Sequence, residues 1–163
     1  MSRRFLILSG TALLLTVSVL AAGCSSASDA GQTDVPGDAG AELTQTAEAG
    51  GVTIDATWLT ADSLPDVDAD LSAYPLDEFA AIEVAFTTHS GDLNEIAMDE
   101  AASLRTGTET VAPAAWLSVS DDSHHREGVL VFERQGEAGP VELALEIADG
   151  EAVSLEWQAV PGD

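Results

Sequence analysis

Between residues 51 and 163, apolar and polar residues alternate in several short runs. The clearest is 141–148, where Val, Leu, Leu and Ile alternate with Glu, Ala, Glu and Ala. The same period of two occurs in segments 52–58, 82–87 and 153–157. Alternation of this kind is typical of strands that bury one face. We therefore predict a strand at each of these four places.

Other segments complete the pattern. The apolar run 129–132 predicts a central strand that is covered on both faces. Two more extended pieces are predicted around 103–105 and 111–117. Only segment 93–104 has apolar residues near helical spacing, so we predict a short helix or turn there. Glycine-containing turns are predicted in the loops between the last strands, around 135–139 and from Asp149 to Gly150.

About seven short strands joined by tight turns indicate an all-β fold, an immunoglobulin-like sandwich of two sheets. The chain has a single cysteine, Cys24, so no inter-sheet disulfide is possible and apolar burial has to hold the sheets together. The side chains predicted for the core are Trp58, Phe86, Trp116, Leu130, Phe132, Leu145 and Trp157.

The first 50 residues have a different organisation. Arg3 and Arg4 precede a run of apolar and small residues that ends just before Cys24. This layout is typical of an export signal, so residues 1–23 are predicted to be a signal peptide. Residues 24–50 contain few large apolar side chains and are predicted to be a disordered acidic tether. The folded domain is predicted to span residues 51–163.

Residues Ala21, Ala22, Gly23 and Cys24 resemble the lipobox of bacterial-type lipoproteins. The resemblance implies cleavage before Cys24 and attachment of diacylglycerol to its sulfur. The chain is therefore expected on the extracytoplasmic face of the cell membrane, which it contacts through the lipid anchor. The alternative is an ordinary signal peptide or a short membrane helix with an incidental cysteine. Export by the twin-arginine route or by the general secretory route is equally compatible with the two arginines.

The charge of the chain excludes some functions. It has 29 Asp and Glu, five Arg and no Lys, with a formal net charge of −24. Nucleic-acid binding needs clustered cations, so no nucleic-acid partner is expected. A single cysteine excludes metal sites with several thiolates. Strong net charge favours a monomer.

The sequence shows no nucleophile elbow and no phosphate-binding or cofactor motif, so we predict no catalytic residues, no cofactor and no enzyme activity.

Three histidines offer an alternative chemistry. His89 follows a predicted strand, and His124 and His125 precede another. Imidazole suits copper or zinc, so these three residues are candidate metal ligands, supported by Asp92, Asp121 or Asp122. Adjacent residues of a regular strand point to opposite faces, which opposes shared binding by His124 and His125. The competing interpretation is structural: one histidine packs against a tryptophan and another bonds a loop carbonyl.

The histidines belong to a longer pattern, T-H-S-x-D-L, L-R, a Trp, H-H-x-x-G-V-L-x-F and a final Trp. With it, the segment 79–157 resembles a group of uncharacterised secreted and membrane-anchored β-domains. The resemblance implies a fold and a possible site, and no particular reaction. The matching residues are Thr88, His89, Ser90, Asp92, Leu93, Leu104, Arg105, Trp116, His124, His125, Gly128, Val129, Leu130, Phe132 and Trp157.

Asp66, Asp68 and Asp70 resemble the start of a calcium loop. Leu71 stands where such a loop needs glycine, which favours an acidic solvated loop instead.

Taken together, the sequence predicts a membrane-anchored lipoprotein whose β-sandwich has a non-enzymatic binding or accessory role toward an unidentified protein partner. The alternative is extracytoplasmic binding of copper or zinc through His89, His124 and His125.

Overall fold

A computed structural model describes residues 43–136, 139–147 and 150–158. Nearly all of this part of the chain is β-structure. The strands are β1 (Thr44–Ala49), β2 (Val52–Trp58), β3 (Phe79–Thr88), β4 (Ala102–Thr106), β5 (Glu109–Val111), β6 (Ala115–Asp121), β7 (His125–Glu133), β8 (Val141–Glu146) and β9 (Ala152–Trp157). One α-helical turn, α1 (Met98–Ala101), and 3₁₀ turns at Leu64–Asp66 and Leu93–Glu95 complete the elements.

The strands form two antiparallel sheets. The first sheet has the order β1-β2-β3-β7-β6, and the second has the order β5-β4-β8-β9. With β2 as the first strand of an immunoglobulin-type domain, these orders correspond to A-B-E-D in one sheet and C′-C-F-G in the other. The predicted all-β, immunoglobulin-like sandwich is confirmed. β1 is an additional strand, paired along its whole length with β2.

Large apolar side chains from both sheets fill the space between them. Six of the seven predicted core side chains are at most 2% exposed, and Trp116 is half-buried at the edge of the core. The run Val129–Leu130–Val131–Phe132 is fully buried on both faces, as its apolar composition predicts. The sheets are thus held by packing, in a domain without a disulfide.

The outer face of the first sheet is covered by a cover segment, residues 59–78. Val67, Leu71 and Tyr74 of this segment pack against a second apolar cluster that contains Ala81 and Val131. The ring of Tyr74 meets Phe79 edge to face, with centroids 5.3 Å apart. The cover segment therefore provides the second layer that buries the outer face of the central strands.

Two sequence predictions are wrong in detail. Residues Thr44–Ala49, placed in the predicted tether, form β1, because they pair along their whole length with β2. The piece predicted at 111–117 is two strands, β5 and β6, which belong to different sheets. The short helix or turn predicted within 93–104 is present as the 3₁₀ turn and the single turn α1. The extended piece predicted around 103–105 is β4, in which Ala102 and Leu104 face the core at strand spacing.

Several predictions lie outside the described residues. These are the signal peptide at 1–23, Cys24, the tether up to residue 42, and parts of the turns predicted at 135–139 and 149–150. Within the described residues, no helix has the length and apolar character needed to cross a membrane.

Candidate functional site

A cleft of about 720 Å³ lies at one end of the sandwich, and we call it the loop-end cleft. Three segments that are distant in sequence form its walls. They are the β1–β2 turn at Gly50, the connection from Ser90 to Ala101, and the end of β8 at Glu146 and Ile147. The cleft is therefore a product of the folded sandwich, and no single segment of the sequence contains it.

The lining of the loop-end cleft combines two kinds of side chain. Its apolar part consists of Val52, Leu93, Ile96, Ala97, Ala101 and Ile147. Four carboxylates also line it: Asp92, Glu95, Glu100 and Glu146. None of the described lining residues is Arg or His. The cleft is thus negatively charged and partly apolar.

The T-H-S-x-D-L motif forms one wall of the cleft. Thr88 is buried, and its Oγ1 donates to the backbone oxygen of Ser90 at 2.8 Å or of Gly51 at 3.2 Å. Gly91 has φ +86°, a left-handed conformation that favours glycine. Asp92 then accepts a hydrogen bond from the backbone N–H of Asn94 at 3.0 Å, which caps the 3₁₀ turn. The motif residues Thr88 and Asp92 therefore shape the backbone of this wall.

The turn that carries His124 and His125 lies directly behind this wall. Asp122 Oδ1 accepts from the backbone N–H of His124 at 2.9 Å and of His125 at 3.3 Å. The first of these bonds is the main reason why the pKa of the Asp122 carboxyl is lowered. The His124 and Ser123 carbonyls in turn accept from the N–H groups of Thr88 and Leu93, at 3.0 and 2.9 Å. The two sequence motifs thus meet in one hydrogen-bonded unit.

Arg126 is the charged residue at the centre of this unit. It is only 9% exposed. Its Nη1 donates to the backbone oxygens of Leu93 at 3.0 Å and Ile96 at 2.6 Å, both in cleft-lining residues. Its guanidinium lies 5.3 Å from the centre of the Trp116 ring, a cation–π distance. Nε lies 3.5 Å from Asp121 Oδ1, too long for a strong hydrogen bond.

Arg126 was not among the predicted site residues, although the sequence contains a signal for it. Successive residues of a strand face opposite sides, and Arg126 has the same parity in β7 as Leu130 and Phe132, whose side chains are in the main core. An arginine on the inward face of a strand needs hydrogen-bond acceptors or an opposite charge, because burial of an unpaired charge is costly. The sequence did not show that these partners are backbone carbonyls more than 29 residues away.

The three histidines are exposed. His125 Nδ1 lies 3.4 Å from Thr87 Oγ1, and His124 contributes its backbone groups to the turn. Among the described residues, no group of three or more His, Cys, Asp or Glu is placed to hold a metal ion. The copper or zinc hypothesis stays a prediction, which titration of Cu²⁺ into the chain and into its His124→Ala variant would test.

The candidate calcium residues Asp66, Asp68 and Asp70 lie on the exposed side of the cover segment, alternating with the half-buried Val67 and Ala69. Asp70 Oδ1 accepts from the Ser72 N–H at 3.0 Å, and hydrogen bonding by Ser72 lowers the pKa of this carboxyl. Calcium binding by these three acids stays a prediction, beside the alternative of an acidic solvated loop. The alternation also explains the spacing of the acids, since the residues between them cover the sheet.

Comparison with known proteins adds no relative. No protein-family model matches the chain, and neither a curated protein nor a solved structure matches it significantly. Any functional conclusion therefore rests on the residues and geometry described above.

Proposed function

We propose that the chain is a lipid-anchored extracytoplasmic lipoprotein whose sandwich is a non-enzymatic binding module, with the loop-end cleft as its binding site. The observation that carries the binding role is the cleft itself, a concavity of about 720 Å³ built from three separate segments. Binding sites are commonly concave and partly apolar, with a few polar groups that set specificity.

The charge of the cleft defines the class of partner. Four carboxylates line it, and its described lining contains no cation to neutralise them. A positively charged group on the partner would therefore gain electrostatic attraction, and an apolar group beside it would contact Leu93, Ile96 or Ile147. The partner that fits is a protein segment in which lysine or arginine alternates with apolar residues.

The course of β1 supports display of this cleft to a partner. β1 begins at Thr44, opposite Thr57, and ends at Ala49, next to the turn that lines the cleft. The five steps along its 6 residues separate these two points by about 17 Å, at roughly 3.3 Å per residue. The described chain thus enters β1 at the end remote from the cleft, so its entry into the sandwich does not obstruct the cleft.

The anchor has a direct test. Mature protein extracted from membranes should begin at Cys24 and carry a diacylglyceryl group, which intact-mass and peptide mass spectrometry would detect. Two acyl chains give stable attachment, since each buried CH₂ contributes about 0.8 kcal/mol. Mature protein that retains Met1, or that has an unmodified Cys24 thiol, would overturn this part of the proposal.

The binding role is tested with a fluorescent peptide of alternating lysine and leucine, measured by anisotropy. The double variant Glu95→Gln/Glu100→Gln removes two exposed cleft carboxylates and keeps Asp92, which caps the 3₁₀ turn. Exposed charge pairs contribute about 0.2–1 kcal/mol each, so affinity should fall about two- to thirtyfold. The affinity should also fall as KCl rises, because salt screens exposed charges.

The matched control is Glu109→Gln/Glu133→Gln, which removes the same charge at the other end of the sandwich. It should leave affinity nearly unchanged. Equal losses in the two double variants would mean that the peptide responds only to total charge. That result, or binding as strong to a peptide with glutamate in place of lysine, would contradict the proposed site.

A further inference from the structure

The connection that lines the loop-end cleft has little regular structure of its own. We call residues 92–97 the cleft loop. One 3₁₀ turn, Leu93–Glu95, is its only helical element, and its backbone bonds to the turn before β7 through Leu93 N–H. The side chains of Leu93 and Ile96 are buried, whereas Asn94 and Glu95 are exposed. The shape of the cleft therefore depends on contacts that come from outside the loop.

Arg126 supplies two of these contacts. Its Nη1 donates to the carbonyl oxygens of Leu93 and Ile96, at 3.0 and 2.6 Å, and so joins both ends of the 3₁₀ turn to strand β7. A charged donor makes stronger hydrogen bonds than a neutral one. Loss of Arg126 would leave the Ile96 carbonyl oxygen without this donor and the Leu93 carbonyl oxygen with the Ile96 N–H at 3.3 Å. Water would then have to enter to satisfy the Ile96 oxygen.

Two residues of the sequence motif, Trp116 and Gly128, fix the position of Arg126. The Trp116 ring lies against the guanidinium, with its centroid 5.3 Å from Cζ. Trp116 lies that close to β7 because residue 128 is glycine. A Cβ at Gly128 would meet Trp116 Cζ2 at 2.6 Å and the Leu117 carbonyl oxygen at 2.5 Å. The Trp and the Gly of the motif thus act together on Arg126.

From these contacts we infer that Arg126 is the positioning residue of the loop-end cleft. It holds the cleft loop in the conformation that binds the partner, and Trp116 and Gly128 hold Arg126. The inference rests on the proposed binding role of the cleft. It assigns a function to the centre of the H-H-x-x-G motif. The two histidines contribute backbone hydrogen bonds to the turn, and Arg126, the first x of the motif, contacts the cleft loop.

The test compares Arg126→Met, which keeps the aliphatic packing, with Arg126→Lys, which keeps the charge without the planar group that stacks on Trp116. Hydrogen exchange of the purified mature chain, followed by mass spectrometry, reports local opening. Exchange of residues 93–96 should accelerate at least about tenfold in Arg126→Met and less in Arg126→Lys. Affinity for the lysine–leucine peptide should fall in the same order.

Two controls separate positioning from general stability. Arg105→Met removes an exposed ion pair with Glu142 in the second sheet and should leave both readouts unchanged. Leu155→Ala removes a buried core side chain far along the sequence from the cleft loop. It should lower the unfolding midpoint without selective exchange at 93–96 and without loss of affinity in the folded protein.

The inference is overturned if Arg126→Met leaves exchange at 93–96 unchanged, or accelerates exchange equally in all strands. If Arg126→Met does not fold, the same comparison is decided by Arg126→Lys. If the unaltered chain fails to bind the peptide, the proposed binding role fails, while the exchange comparison still decides whether Arg126 holds the cleft loop. Selective exchange with unchanged peptide affinity would overturn the positioning role alone.

Discussion

The two ends of the sandwich differ in the chemistry that holds them. Away from the cleft, the rings of Trp58 and Trp157 meet edge to face with centroids 5.7 Å apart, and Trp157 Nε1 donates to the Leu43 oxygen at 2.8 Å. At the cleft, a buried guanidinium and several backbone hydrogen bonds hold the loops. The first end is joined by large aromatic side chains, and the second adds directional polar contacts to buried apolar side chains such as Leu93 and Ile96.

This difference separates stability from positioning. Burial of a tryptophan contributes in proportion to the apolar area removed from water and has no directional requirement. Hydrogen bonds contribute less net free energy, but they fix the orientation of the groups that they join. The tryptophan end is therefore expected to set the stability of the domain, and the cleft end to set the shape of the binding surface.

The largest expected effect is at the tryptophan end. Trp157→Ala removes a side chain that is 2% exposed and should lower the free energy of unfolding by about 3–5 kcal/mol. Urea unfolding followed by circular dichroism measures it. Gln158→Ala, at the exposed neighbouring residue, is the control and should change little. A Trp157→Ala loss no larger than that of Arg126→Met would contradict the division between the two ends.

A smaller effect is expected from Gly128→Ala at the cleft end. The added methyl group would overlap the Trp116 ring and the Leu117 carbonyl oxygen, so the free energy of unfolding should fall by about 1–3 kcal/mol. Gly136→Ala has no atom within 4 Å of the new Cβ and is the matched control. Equal unfolding midpoints for both variants would show that Trp116 moves without cost. That result would contradict the claim that Gly128 and Trp116 fix the position of Arg126.

Glu83 of β3 lies between the two ends and has a charge that opposes folding. Burial, together with the charges of Glu127 and Asp68, raises the pKa of its carboxyl. Because the folded pKa exceeds the unfolded one, ionisation of Glu83 costs stability at neutral pH, and the cost disappears below the unfolded pKa of about 4.3. Glu83→Gln should therefore raise the urea midpoint at pH 7 and not at pH 3. The same gain at both pH values would contradict this explanation.

The smallest effect is expected at Asp122, whose carboxyl has a lowered pKa, mainly through the His124 N–H. A lowered folded pKa means that ionisation stabilises the domain above the unfolded pKa of about 3.9, and that this contribution is lost as pH falls through the folded pKa. Asp122→Asn keeps an acceptor oxygen but not the charge. It should unfold at slightly lower urea than the unaltered chain at pH 7, with the difference closing near pH 2. A constant difference would exclude an ionisation effect.

Much of the fold could be predicted from the sequence. Alternation alone places β2, β3, β8 and β9, because each buries one face, and the apolar run at 129–132 predicts a strand covered on both sides. β1 escaped prediction because its inward residues, Gln45, Ala47 and Ala49, are polar or small and give little hydrophobic signal. Short hydrophobic patterns therefore fail to predict a strand that is stabilised mainly by pairing with an adjacent strand.

The cleft could be predicted only in part. The motifs around His89 and His124 indicate the correct end of the sandwich, since their backbones bond to each other. The predicted ligands were the histidine side chains, whereas the buried contacts come from Thr88 and Arg126. The acids Glu95, Glu100 and Glu146 could not be selected among the 29 acids of the chain, because only the fold brings them to one cleft.

The most direct test is to map the peptide on the protein by NMR. The isotope-labelled mature chain is titrated with the lysine–leucine peptide while backbone amide shifts are followed. Shifts should concentrate at Gly91, Glu95 and Ile147, which line the loop-end cleft, and be small at Gly107 and Gly136. Shifts spread over the whole acidic surface, or centred on Gly107, would contradict the assignment of the cleft as the binding site.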